Sequence, residues 1–363
     1  MQTIKPVTDF LFRHRRHVAT VAFFAGFFVD IITFRTINLT ISQIILTGYL
    51  LIVAGSILIL SGPVRTDAKG ITKHVRTWLP IVHQYVTGNL LSAFLVLYFS
   101  SGSFSQSWPF LIIVALAALS NETSFFEKYR TSFQTTLFFF NLVLFFALAV
   151  PIAFGSLGLL TFLSSIGVSI LVFILFFLAG KFFAPTAFKD NGRSIIGGAL
   201  GMCVLVVALY MTHLIPPIPL SAKNIDVYHS VEKVGDTYVV LDEVRTWYER
   251  FLDIGGVPLH LGEGESAYVY TSVFAPARFG ANIVHRWEMF DEDSGEWISK
   301  NTVRFPILGG RPNGYRGYSF MENPVPGHWR VSVETPQGGV IGRVELLVVR
   351  VATPVDVIQK TLE

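Results

Sequence analysis

Seven apolar runs lie between residues 18 and 214, and the rest of the chain, about 140 residues, is polar sequence punctuated by Gly and Pro. Runs of about twenty apolar residues suit helices that cross a bilayer, because a helix satisfies every backbone N–H and C=O within its own segment. The expected spans are 18–34, 39–60, 79–99, 108–120, 133–152, 157–179 and 194–214, the fourth being short for a full crossing. Charged residues make up only 15% of the chain against 52% hydrophobic ones, well below the charged share of about a quarter usual in soluble domains. The expected organisation is an N-terminal cytoplasmic segment (1–17), a seven-helix transmembrane domain (18–218) and an external β-sandwich (219–363). The run at 18–34 reads as a retained span, since it contains Asp30 and lacks a small-x-small cleavage site. The single cysteine, Cys203, falls in the last run, so no intramolecular disulfide forms.

Basic residues assign the sides. Lys5, Arg13, Arg15, Arg16, Arg65, Lys69, Lys73, Arg76, Lys128, Arg130, Lys181, Lys189 and Arg193 all fall in alternate connections, whereas the opposite connections hold only Arg35. Lys and Arg resist translocation, so the amino terminus is expected in the cytoplasm and, after seven crossings, the C-terminal domain in the periplasm of a bacterial inner membrane. Residues 1–222 carry 14 basic and 6 acidic side chains, residues 223–363 carry 14 and 19. The net charge of +3 therefore belongs to loops facing anionic lipid. A nucleic-acid partner is not expected, because no basic stripe with interleaved aromatics occurs in the polar half.

Pro216, Pro217 and Pro219 end the last run, since proline fixes φ and cannot continue a helix. Strands are expected at 237–241, 267–274, 282–290, 297–305, 328–335 and 340–349, at the short spacing of a β-sandwich. In the fifth, Trp329, Val331 and Val333 alternate with Arg330, Ser332 and Glu334; in the sixth, Val344, Leu346 and Val348 form the matching apolar row. Gln337-Gly338-Gly339 and the segment 291–296 read as hairpin loops.

Four runs follow in order: Asn282-Ile283-Val284-His285-Arg286-Trp287, Gly314-Tyr315-Arg316-Gly317-Tyr318-Ser319, Pro326-Gly327-His328-Trp329-Arg330-Val331 and Gly338-Gly339-Val340-Ile341-Gly342-Arg343. Together they resemble the DUF2914 domain, a bacterial module of unknown function, over about residues 280–350. The resemblance implies an envelope protein with an immunoglobulin-like C-terminal module, and it supplies no activity and no catalytic residues.

Ionisable and polar groups in the apolar half draw attention because burying them in hydrocarbon is costly. Asp30, His83, Gln84, Asn89 and Glu122 are the intramembrane polar candidates. The third-run stripe of His83, Gln84 and Asn89 suits interhelical hydrogen bonds or a lined cavity. Gly197-Gly198-Ala199-Leu200-Gly201 permits close helix approach. In the polar half, Asp291, Glu292, Asp293 and Glu296 crowd into one turn without a calcium-loop pattern, and a solvated hairpin tip is the simpler reading. No phosphate loop, metal-binding histidine pair or nucleophile elbow is present, so no metal, no cofactor and no enzymatic activity are expected. Tyr315, Arg316, Tyr318, Arg286 and Arg330 are the candidate contact residues, since Tyr offers a flat apolar ring and Arg a forked donor. Arg316 is expected in a glycine-flanked loop.

These features point to a non-enzymatic inner-membrane accessory or scaffold protein. Membrane lipids surround its helices, and its sandwich binds a partner membrane complex or an envelope glycan. The competing readings are a transporter or lipid- or polysaccharide-handling protein that uses the polar groups of the bundle, and an envelope enzyme of unfamiliar type.

Overall fold

The computed structural model describes residues 39–63, 71–122, 130–244, 256–276, 279–309, 314–353 and 355–362. The expected first span at 18–34, with Asp30, lies outside the described residues. Seven helices are described: α1 (Leu39–Ser61), α2 (Ile71–Phe99), α3 (Phe104–Glu122), α4 (Arg130–Phe154), α5 (Leu159–Phe183), α6 (Pro185–Asp190) and α7 (Gly192–Met211). Five of them, α1, α2, α4, α5 and α7, hold segments long and apolar enough to cross a membrane; α3 has a shorter apolar segment, Gln106–Asn121. The seven described helices are therefore not the seven expected spans: α6 is a six-residue turn of helix with Pro185 at its start, too short to cross.

Contacts divide the chain into two compact units. The helical unit is held by aromatic packing and a few polar bonds. Tyr98 on α2 donates to Leu144 O on α4 at 3.0 Å and lies 4.9 Å from Phe110 on α3. Phe138 and Phe139 of α4 meet Phe176 and Phe173 of α5 at 4.6 and 4.9 Å. Within the glycine cluster of α7, only Gly198 makes a close approach: a Cβ there would sit 2.4 Å from Thr136 Oγ1 of α4, whereas Gly197 and Gly201 face open space.

The second unit comprises Ile215–Glu363 together with two connections between helices, Ser101–Ser107 and Phe154–Gly158. Gly280 N bonds Gly155 O at 3.1 Å, and Ser103 N bonds Val340 O at 3.5 Å. Eleven strands are described: β1 (Ser221–Tyr228), β2 (Ser230–Val234), β3 (Thr237–Glu243), β4 (Val257–Leu261), β5 (Ala267–Phe274), β6 (Gly280–Asp291), β7 (Glu296–Leu308), β8 (Tyr315–Met321), β9 (Gly327–Glu334), β10 (Val340–Arg350) and β11 (Val357–Leu362). They form a five-stranded sheet in the order β4-β10-β9-β6-β7 and a three-stranded sheet β1-β5-β8. The alternating rows read from the sequence meet between these sheets: Trp287, Trp329, Val331, Val344, Leu346 and Val348 pack against Val227, Ala267 and Val269. The unit is therefore a β-sandwich. A third sheet, β11-β3-β2, adds an outer layer, with Val231, Tyr238 and Val240 packed on Tyr228 and Tyr270 of β1 and β5.

Two expected hairpins are present, β6–β7 through residues 291–296 and β9–β10 through Gly338, whose φ of +87° suits glycine. The segment holding Arg316, expected as a loop, is strand β8 instead. It pairs antiparallel with β5, and Gly314 and Gly317 stand in close quarters, where a Cβ would meet Ser272 Oγ at 2.6 Å and Phe305 at 2.8 Å. Those glycines mark close packing in the sandwich as much as a turn.

Candidate functional site

Strand pairing decides which of the candidate residues share a face. On β8, Arg316, Tyr318 and Phe320 pair with Ser272, Tyr270 and Tyr268 of β5, so all six project from the same side of the three-stranded sheet. Tyr315 pairs with Val273 on the opposite side and packs into the sandwich core beside Phe279 and Ile341. Arg286 and Arg330 lie on a different sheet altogether.

The outward face of the three-stranded sheet is a tyrosine shelf. Tyr268 lies 5.4 Å from Phe320 and 6.3 Å from Tyr318, while Tyr238, arriving from β3, lies 5.3 Å from Tyr270 and 6.2 Å from Tyr318. The outer sheet covers the end near Tyr228 and Tyr270 but leaves Tyr318 37% and Phe320 43% exposed. Arg316 stands at the junction. Its guanidinium carbon is 5.7 Å from the Tyr238 ring centroid, and the Tyr238 hydroxyl donates to Arg316 O at 3.3 Å. The Arg316 Nε is buried and finds no hydrogen-bond acceptor among the described residues. Burial pushes the Tyr270 hydroxyl up to about 12, against the pull of Arg316. The carboxylate nearest in register, Asp226 on β1, accepts from Val227 N at 2.9 Å.

The outward face of the five-stranded sheet has the same residue types with the opposite outcome. Glu288 pairs in register with Arg330, and Arg286 with Ser332, which in turn faces Arg343. Arg330 holds Glu288 through two bonds of 2.6 and 3.1 Å while its guanidinium covers Trp297 at 4.4 Å. Arg286 Nε bonds Glu334 at 3.1 Å, and Arg343 Nε donates to Ser332 Oγ at 2.9 Å. This lattice buries Glu288 and Glu334 to 9% and 7% exposure on what would otherwise be a solvent face. Burial raises the Glu334 carboxyl, and the Arg286 bond opposes that rise. Arg286 and Arg330 are thus occupied in neutralising buried carboxylates.

Two further polar clusters are legible only in three dimensions. Glu243, at the end of β3, accepts from His229 Nε2 at 2.9 Å, from the His260 backbone N at 2.6 Å and from His260 Nδ1 at 3.0 Å. Burial would raise its carboxyl, but these three bonds prevail and hold it down to about 2. Between the two main sheets, Trp287 Nε1 donates to Ser319 Oγ at 2.9 Å, and His285 lies 2.8 Å from Ser319 Oγ and 3.0 Å from Thr271 Oγ1. Burial lowers His285 to about 3, so the imidazole is neutral. Among the described residues no group of three His, Cys, Asp or Glu side chains is arranged to hold a metal ion. The acidic hairpin tip is closed on itself, with Ser294 Oγ donating to Asp291 at 2.6 Å.

In the helical unit, Ser56 Oγ of α1 donates to Val53 O at 2.8 Å and therefore accepts from His83 Nδ1 of α2 at 2.6 Å. Asn121 Nδ2 of α3 donates to Gln84 O at 3.0 Å. His83 and the Gln84 backbone thus join helices, the first of the two readings of that stripe. Asn89 is buried, and its Oδ1 has no donor among the described residues. Glu122 ends α3.

Sequence reasoning missed Tyr238, Tyr268, Tyr270 and Phe320. The signal was period-two spacing: Tyr268 and Tyr270 on one strand, Tyr318 and Phe320 on another. Tyr238 shows no such signal, because its place depends on the outer sheet.

Comparison with known proteins adds little chemistry. No curated protein matches the chain. Among solved structures, an immunoglobulin-like protein from Pseudomonas aeruginosa is similar at 9% identity, over 36% of this chain and 98% of its own, with a TM-score of 0.21. A β-glucosidase from Listeria innocua in complex with gluconolactone is similar at 12% identity over 34% of this chain and 16% of its own, with a TM-score of 0.19. Likenesses at these scores carry no argument, and the sandwich rests on the strand pairings themselves. The residues that carry the paired arginines and β8 are a different matter: residues 280–348 match the family described as "Protein of unknown function (DUF2914)", so the chain carries a DUF2914 domain spanning β6 to β10.

Proposed function

We propose that the chain is a non-enzymatic accessory protein of the bacterial inner membrane, in which seven helices anchor a periplasmic β-sandwich that recognises a partner through its tyrosine shelf. The seven crossings are those read from the sequence, and the five helices long and apolar enough to cross, α1, α2, α4, α5 and α7, support five of them. Sidedness is supported by the basic connections and by the packing of Ser101–Ser107 and Phe154–Gly158 with the β unit, since both are connections expected on the outer side.

The observation that carries the recognition role is the pair of exposed rings, Tyr318 and Phe320, on one sheet face beside the half-buried Arg316. Tyr and Arg gathered on an exposed sheet face are the residue types enriched where proteins meet partners. A photo-crosslinking residue placed at Phe320, and separately at Thr302 on β7, tests this in native membranes. Phe320 adducts with a discrete species, absent from Thr302, are expected. Adducts of equal yield at both sites would rule out the shelf as the recognition face.

A further inference from the structure

We infer that the turn joining α5, α6 and α7 holds the headgroup of an anionic phospholipid, with Lys181, Lys189 and Arg193 meeting its phosphate and Phe182 and Phe183 lying along its acyl chains. The inference rests on the membrane reading of the helical unit and is independent of the tyrosine shelf. Residues 181–193 carry three cations against one carboxylate, Asp190, where two helices long and apolar enough to cross a bilayer meet. All three cations are exposed. Beside them Phe182 and Phe183 are 79% and 60% exposed, so bulky apolar rings adjoin the charges at the end of α5.

Packing brings the cations together. Phe188 of α6 is buried against Gly180 of α5, where an added Cβ would collide with its ring, and it lies 5.7 Å from Phe177. Lys181 Nζ stands 5.0 Å from the Phe177 ring centroid, and a Cβ on Gly192 would lie 3.8 Å from the same ring. Lys181, Lys189 next to Phe188, and Arg193 next to Gly192 therefore surround one pair of rings. Ser132 Oγ donates to Asn191 Oδ1 at 3.1 Å, and Asn191 Nδ2 donates to Ala187 O at 2.9 Å. These bonds tie the turn to itself and to the first turn of α4, which carries the exposed Arg130. Charge complementarity sets the occupant: clustered cations beside exposed apolar rings match a ligand that is anionic at one end and apolar at the other. A soluble phosphate ester would meet the cations and leave the rings unused.

Full-length protein in detergent is incubated with equal amounts of phosphatidylglycerol and phosphatidylcholine bearing the same chains, and retained lipid is counted by native mass spectrometry. Phosphatidylglycerol is expected to be retained about tenfold or more over phosphatidylcholine, and combined Lys181→Gln, Lys189→Gln and Arg193→Gln to abolish that preference. Removing as much exposed charge from the β unit, by Lys233→Gln, Lys300→Gln and Arg304→Gln, is expected to leave it unchanged. Phe182→Ala with Phe183→Ala should weaken retention, and glycerol phosphate, which lacks acyl chains, should not displace the lipid. Thermal unfolding in detergent identifies a combined variant that fails to fold. Lys189→Gln and Arg193→Gln then serve singly, each expected to weaken the preference about fivefold. Equal retention of the two lipids by the parent, or a preference that survives loss of the three cations, would overturn the assignment. Displacement by glycerol phosphate would also overturn it, by replacing the lipid with a soluble phosphate ester. Alkaline extraction of native membranes separates the two readings: a released protein would sink the membrane reading itself, whereas a retained protein without lipid preference would sink this inference alone.

Discussion

Two faces of the β unit carry arginine among aromatic rings, and they differ in how the charge is met. On the five-stranded sheet, Arg286 and Arg330 each hold a buried carboxylate, and Arg330 also covers Trp297. On the three-stranded sheet, Arg316 lies against Tyr238 with its Nε unmet. An arginine that neutralises a buried carboxylate belongs to stability, because its loss strands the partner charge. An arginine that holds no buried carboxylate strands no partner charge when it is lost. Residue type does not separate the two; cross-strand register does.

The first face is the more fragile. Arg330→Ala leaves Glu288 buried without its bidentate partner and uncovers Trp297, so we expect a loss of about 3 kcal/mol in denaturant unfolding of the full chain, with partner capture by the folded fraction intact. Next in size is a pH effect from the layer between the faces. His285 is held neutral down to about pH 3 in the folded state and takes a proton below about pH 6.5 once unfolded. The unfolded chain therefore binds more protons in that window, and stability falls as the pH is lowered from about 6.5 towards 3. His285→Gln should flatten that slope in unfolding measured across the same range.

Glu243, on the third sheet, is a carboxylate held by histidines where the first face uses arginines. Glu243→Gln removes the charge that accepts from His229 and His260 and should cost about 1–2 kcal/mol at neutral pH. With its carboxyl held at about 2, its stabilisation is fully present above about pH 4.5 and is lost as pH falls through about 2. The shelf residues should matter least to stability: Arg316→Gln should stay within about 0.5 kcal/mol of the parent, and Tyr318→Ala, which loses its ring contacts with Tyr238 and Tyr268, should cost about 1 kcal/mol. Their effect appears in binding, read by the Phe320 crosslink.

Much of the framework is legible in the amino-acid sequence. The six expected strands correspond to β3, β5, β6, β7, β9 and β10, because each carries period-two alternation or a β-branched run between Gly, Pro and Asp punctuation. Others hide for physical reasons. β4 begins Val257-Pro258 and pairs parallel to β10, which no local signal announces. β8 is interrupted by Gly317, whose packing against Phe305 reads in sequence as a loop. β1 has a bulge between Ala222 and Asn224 that breaks the alternation near its start. The helices are legible through their apolar content, but α2 begins at Ile71, ahead of its apolar stretch. Of the candidate site, Arg316 and Tyr318 share a face while Tyr315 turns into the core. The fates of Arg286 and Arg330 were set by Glu334 and Glu288, whose partnership requires knowing which strands adjoin.

Two arginines in two assays decide between these roles. Arg330→Gln and Arg316→Gln, each in the full-length protein, are compared for unfolding midpoint and for partner capture at Phe320. We expect Arg330→Gln to lower the midpoint and spare capture, and Arg316→Gln to spare the midpoint and abolish capture. Equal loss of stability in both, with capture retained by folded Arg316→Gln, would contradict the division of labour between the two faces.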